Sequence, residues 1–147
     1  MSIPLEWRFS QYQVDWQELS DLYRLAPLGD MKAEDLKLVF SNSMFKVFVY
    51  DGGKLVGVGR ALADGRDASY LCDIAVHPSY QGLGLGKEIV RALVERSKGH
   101  RKILLYAAPG KDTFYLKLGF KRMTTAMAIF EDQGRALRDG LVIESRL

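Results

Sequence analysis

The chain has 147 residues, 48% of them hydrophobic and 27% charged, a balance that fits one globular domain over 1–147 and excludes a disordered chain. Its formal net charge of +3 is scattered without a long basic run, which argues against nucleic acid as the main partner. No stretch approaches the roughly 20 apolar residues that span a bilayer, Met1 to Phe9 lacks a signal-peptide core, and the single cysteine, Cys72, excludes an internal disulfide. The expectation is a soluble, cytoplasmic protein with no nucleic-acid or membrane partner; a homodimer is compatible with it.

Strand-like and helical patterns alternate along the chain. Glu6 to Ser10 reads as a first strand. Asp15 to Leu25 reads as a helix with Asp15 as its cap, and Pro27 and Gly29 end it. Lys32 to Phe40 is a second helix with Leu36, Val39 and Phe40 on one face. Phe45 to Tyr50, the turn Asp51-Gly52-Gly53-Lys54 and Leu55 to Ala63 form a hairpin. A second turn, Asp64 to Asp67, leads into the run Ser69 to Val76. Short turns between three neighbouring strands imply an antiparallel sheet. A glycine-rich loop, a helix from Gly86 to Ser97 and a strand from Lys102 to Ala107 follow, and this strand–helix–strand unit implies a parallel crossover. A short helix over Asp112 to Leu118 precedes the apolar residues Met123 to Phe130. Leu141 to Ile143 is a candidate last strand. The fold class is α/β (α+β): a mixed, mostly antiparallel sheet flanked by helices.

The richest local signal is Val76-His77-Pro78-Ser79-Tyr80-Gln81-Gly82-Leu83-Gly84-Leu85-Gly86-Lys87. It follows a strand and opens a helix whose Ile89, Val90, Leu93 and Val94 form an apolar face. Glycines let the backbone approach a ligand closely, and the free N–H groups at a helix start favour phosphate. A P-loop requires Ser or Thr where Glu88 stands, and the glycines at 82, 84 and 86 miss the dinucleotide spacing. On the glycines alone, a phosphate cradle and a plain connecting turn both account for the loop.

Gln81, Gly84 and Gly86 match the pattern Gln/Arg-x-x-Gly-x-Gly/Ala, and here the chain resembles the GNAT superfamily of GCN5-related N-acetyltransferases. The preceding Asp73-Ile74-Ala75-Val76-His77-Pro78 is similar to the family's fourth strand and the turn after it. The resemblance is strongest from Ser69 to Phe120. It implies that main-chain amides of Gln81, Gly82, Leu83, Gly84, Leu85, Gly86 and Lys87 hold the pyrophosphate of acetyl-CoA, the co-substrate. It also implies a bulged strand, splayed from its parallel neighbour, along Ile74, Ala75 and Val76. There, Ile74 and Val76 would pair with the pantetheine arm through their main chains.

Thr113 to Phe120 reads as a short helix with Gly119 as its stop and with Phe114, Leu118 and Phe120 in the core. It resembles the family motif Phe-Tyr-x-x-x-Gly-Phe at Phe114, Tyr115, Gly119 and Phe120. The resemblance makes Tyr115 the candidate general acid that protonates the departing thiolate. Asp73 is a charge inside the apolar run Tyr70 to Val76, and an unpaired buried carboxylate is costly. It therefore reads either as the base or anchor for the amine, or as the partner of a neighbouring strand. Cys72 and His77 read as structural. Tyr70 and Tyr106 line a pocket or pack. No Cys/His cluster has metal-ligand spacing. The resulting expectation is acetyl transfer to a small primary amine of arylalkylamine or polyamine type, in a ternary complex and without a metal. Alternatives are a protein N-terminus or lysine as acceptor, or a non-catalytic CoA sensor, which would not need the Tyr115 hydroxyl.

Overall fold

The computed structural model describes residues 4–144. They fall into two compact units, one reaching Leu105 and the other starting at Tyr106. The first contains β1 (Glu6–Arg8), α1 (Trp16–Leu25), α2 (Ala33–Ser41), β2 (Phe45–Asp51), β3 (Lys54–Ala63), β4 (Ala68–Val76), α3 (Leu85–Arg96) and β5 (Lys102–Leu104). The strands lie in chain order in one sheet. Every neighbouring pair is antiparallel except β4 and β5, which the α3 crossover makes parallel.

Local chemistry sets these boundaries. The Asp15 carboxylate accepts from the N–H groups of Gln17 and Glu18 at 3.0 and 3.1 Å, capping α1. Gly52 and Gly53 carry φ of +55° and +86°, which the tight β2–β3 turn requires. The Asp64 carboxylate gathers the N–H groups of Arg66, Asp67 and Ala68 and closes the β3–β4 turn.

The sheet is covered on both faces. On one, α1 and α2 bury Leu19, Leu22, Tyr23, Leu36 and Phe40 against Phe48, Val58 and Ala75. On the other, α3 lays Leu85, Ile89, Val90 and Leu93 down. It comes this close because β3 offers Gly57 and Gly59: a Cβ on Gly59 would lie 2.9 Å from Ile89 and 3.0 Å from Leu93. Adding even a methyl there would displace the helix.

The second unit contains α4 (Asp112–Lys117) and α5 (Gln133–Arg138). α4 ends as the sequence predicts. Gly119 takes φ +97°, and the N–H groups of Gly119 and Phe120 reach back to the carbonyls of Leu116 and Tyr115, both at 3.1 Å.

Three expectations are corrected. The strand from Lys102 stops at Leu104 rather than Ala107. Phe114 is exposed, and Leu118 and Phe120 are only half-buried, so this helix is not a core element. The apolar residues 123–130 lie outside any helix or strand, with Met123, Met127 and Ile129 exposed. Leu141 to Ile143 is the chain leaving α5, not a strand, and the Leu141 N–H closes that helix on the Ala136 carbonyl at 2.9 Å. No helix among the described residues is long and apolar enough to cross a membrane.

Candidate active site

The decisive irregularity is in β4. Val58 pairs with Ala75 and Arg60 with Cys72, so one residue of β3, Gly59, stands against two of β4, Asp73 and Ile74. This is a β-bulge. Asp73 absorbs it with φ +55°, a left-handed conformation that costs a non-glycine residue roughly 1–2 kcal/mol. Two neighbours hold it there. The Tyr23 hydroxyl donates to the Asp73 carbonyl at 2.6 Å, and Arg60 forms an ion pair with the Asp73 carboxylate at 2.7 Å. Arg60 also donates to the Ser43 hydroxyl at 3.2 Å, and Ser43 donates onward to the Val39 carbonyl at 2.7 Å. The charge that looked isolated in the sequence is thus part of a connected network. Burial, and secondarily the Asp73 charge, pushes the Tyr23 phenol well above its ordinary pKa, so it stays a donor.

Past the bulge, β4 has a free edge. The β5 register covers Ala68, Ser69 and Tyr70 and ends at Leu104. No strand among the described residues pairs with that edge from Leu71 to Val76. On the β3 side, the His77 N–H reaches the Val56 carbonyl at 2.8 Å. Alternation along an antiparallel ladder therefore turns the main-chain groups of Val76 outward. Gln81 Nε2 donates to the outward Val76 carbonyl at 3.1 Å, which ties the glycine loop to the strand end and leaves the Val76 N–H on the edge.

The loop then opens α3. Gly82 and Gly84 have φ of +79° and +85°, and an added Cβ at either position would meet nothing within 4 Å. Gly84 is the N-cap, and no side chain caps this helix. The first-turn N–H groups are therefore available to an anion, and the glycines leave its approach clear. These features fit the pyrophosphate of acetyl-CoA. Gln81, Leu83 and Lys87 are exposed and Leu85 is buried, as befits a loop that recognises through its main chain. Among the described residues, no group of three or more His, Cys, Asp or Glu side chains could hold a metal ion.

The structure thus brings Asp73, Ile74, Ala75, Val76 and the residues from Gln81 to Lys87 together in the first unit. Tyr115 belongs to the second, on α4, with its ring against Phe114 and Phe120 at centroid distances of 5.0 and 5.9 Å. Burial raises its phenol above the ordinary value, which keeps it protonated. Partial burial foremost pushes the Cys72 thiol up to about 12, which disfavours the thiolate that a nucleophile needs. His77 is structural, accepting the Ser79 N–H on Nδ1 at 3.1 Å.

A family model described as the acetyltransferase (GNAT) domain matches residues 43–122, more than half of the chain. The chain belongs to the GNAT acetyltransferase family. Among curated GNAT relatives, a Prochlorococcus marinus protein named an uncharacterized N-acetyltransferase is 32% identical over 119 residues, covering 76% of this chain and 66% of its own. The serotonin N-acetyltransferase 2 of Oryza sativa, named as chloroplastic, is 44% identical over 70 residues, covering 46% of this chain and 35% of its own. The chain spans two thirds or less of the length of these relatives. A GNAT family acetyltransferase structure from Streptococcus pneumoniae superposes with a TM-score of 0.72 at 23% identity, over 88% of this chain and 100% of that one. That likeness carries the fold.

Sequence reasoning missed Tyr23, Arg60 and the two glycines under α3. Arg60 had a signal: like Asp73, it is a lone charge in an apolar strand, and a count outward from the Asp64 to Asp67 turn sets it opposite Leu71, two residues from Asp73 across the hairpin; the observed register sets it opposite Cys72.

Proposed function

We propose that the protein transfers an acetyl group from acetyl-CoA to the primary amine of a small molecule of arylalkylamine or polyamine type, the two units acting together as one acetyltransferase domain. The observation that carries this reading is the uncapped amino end of α3, set at the end of a β4 edge that no strand among the described residues covers beyond Tyr70. An anion on the helix start and a thin amide-bearing arm along the free edge are the two halves of an acyl-CoA ligand. The serotonin in the rice relative's name is an arylalkylamine, which supports the acceptor class.

In this reading both substrates are bound together. The amine nitrogen forms a bond to the thioester carbon, the carbon–sulfur bond breaks, and the thiolate takes its proton from Tyr115. The Val76 N–H is suited to polarising the carbonyl. Asp73 anchors the incoming amine through its carboxylate, and the surplus amine proton leaves to that carboxylate or to water. The proposed compartment is the cytoplasm, supported by the single thiol in the sequence. The test is a panel of amines offered with acetyl-CoA while free thiol is monitored. Thiol release that depends on a small amine is expected. Release only with peptide N-termini or lysines would move the acceptor to proteins, and binding without release would reduce the chain to a CoA sensor.

A further inference from the structure

The bulge in β4 decides which way the strand's main chain faces. With it, Val58 pairs with Ala75 and Gly57 with Val76. Without it, every residue after Asp73 would shift by one, Val76 would stand opposite Val56, and its N–H would turn into the sheet. The outward face of Ile74 and Val76 therefore depends on Asp73 remaining left-handed.

Two residues outside β4 grip Asp73 at opposite ends. Tyr23 extends from α1, its ring in the core and its body 4% exposed, and gives its hydroxyl to the Asp73 carbonyl. Arg60, on β3, holds the carboxylate. A phenylalanine would fill the Tyr23 site equally well but could not make that bond.

We propose that Tyr23 and Arg60 are positioning residues for acyl transfer: by locking the Asp73 bulge they aim the Ile74 and Val76 main chains at the thioester arm of the acyl donor. This rests on the acetyltransferase reading for its ligand, but the geometric half stands on the bulge alone.

The test uses Tyr23→Phe, with Arg60→Lys as a second variant that keeps the charge but loses the fork should the first fail to fold. Amide exchange by NMR reads the bulge directly: in the wild type the Val76 amide exchanges fast while Ala75 and His77, turned to β3, are protected. Calorimetry then compares acetyl-CoA with 3′-phosphoadenosine 5′-diphosphate, which has the phosphates but no arm. The variants are expected to blur the exchange pattern at 74–77 and to lose about tenfold in acetyl-CoA affinity, one hydrogen bond's worth, with the nucleotide's affinity unchanged. An unaltered exchange pattern with both affinities retained would overturn the proposal, as would an equal loss for both probes. Wild-type protein that binds neither probe would refute the acetyltransferase reading instead, and the exchange pattern would still decide whether Tyr23 and Arg60 set the bulge.

Discussion

Arg60 delivers Nε and Nη2 to the same oxygen of Asp73, Oδ2, each at 2.7 Å. That oxygen is committed to the guanidinium, and Oδ1 is what remains for a ligand. The Asp73 side chain keeps 34% of its surface exposed while Arg60 keeps 11%, so the pair is closed on the protein side and accessible on the carboxylate side. An amine held by Asp73 would meet it through Oδ1.

Asp73→Asn is accordingly expected to raise the KM for the amine while leaving acetyl-CoA affinity unchanged. It also replaces a charged acceptor of Arg60 by a neutral one, so urea denaturation should show a loss of about 1–3 kcal/mol. Steady-state kinetics with unchanged amine KM and kcat would leave Asp73 a purely structural partner of Arg60.

Tyr115→Phe removes one hydroxyl and keeps the ring against Phe114 and Phe120. A kcat loss of roughly 10²–10⁴ is expected where chemistry limits turnover. The acid must be protonated to act, and burial raises the Tyr115 pKa. Wild-type activity should therefore persist to a pH above that of an ordinary phenol before its alkaline fall. Single-turnover transfer by the variant at the wild-type rate across that range would remove Tyr115 from the chemistry.

Cys72 offers a pH probe of the sheet. Its thiol is pushed up to about 12 in the folded chain, against about 8.5 for a free cysteine. The folded state holds the proton more tightly, so this contribution to stability is whole below the unfolded pKa and is lost as pH rises toward the folded one. At pH 8 the native thiol should react with iodoacetamide at least about a hundredfold more slowly than in urea. Equal rates would show that the half-buried Cys72 thiol is not shifted.

Gly59→Ala tests how closely α3 lies on β3. The new methyl would meet Ile89, Leu93 and Ile74 at 2.9, 3.0 and 3.2 Å. Overpacking of this kind costs about 1–3 kcal/mol, which should appear as a lower urea midpoint with the slope unchanged. An unchanged midpoint would mean that the helix moves aside freely.

The sequence carried most of the first unit because its signals were strong and local. Asp15 before an amphipathic run, paired glycines at 52 and 53 and the alternating apolar strands each specify one structure. The bulge was expected only through the family resemblance and had no local signal of its own. It arises from register across two strands, and its stabilisers, Tyr23 and Arg60, lie far from Asp73 in sequence. Tyr23 reads as one more apolar position of α1, because a helical pattern does not reveal where a hydroxyl points. The second unit was harder for a different reason. Apolar residues such as Met127 and Ile129 suggest burial, yet both are exposed, and α5 is too short to show a helical period.

The most direct test of the acetyl-CoA cradle is a calorimetric titration of acetyl-CoA into wild-type protein and Gly84→Val. Gly84 sits at the N-cap of α3 with φ +85° and open space before it. A valine there would strain the left-handed turn and stand where the phosphates approach. Circular dichroism and a melting curve should show a folded variant somewhat less stable than the wild type, since the added Cβ meets no protein atom. The wild type is expected to bind acetyl-CoA and the folded variant to lose most of that affinity. Unchanged affinity in the folded Gly84→Val protein would contradict a pyrophosphate site at the start of α3.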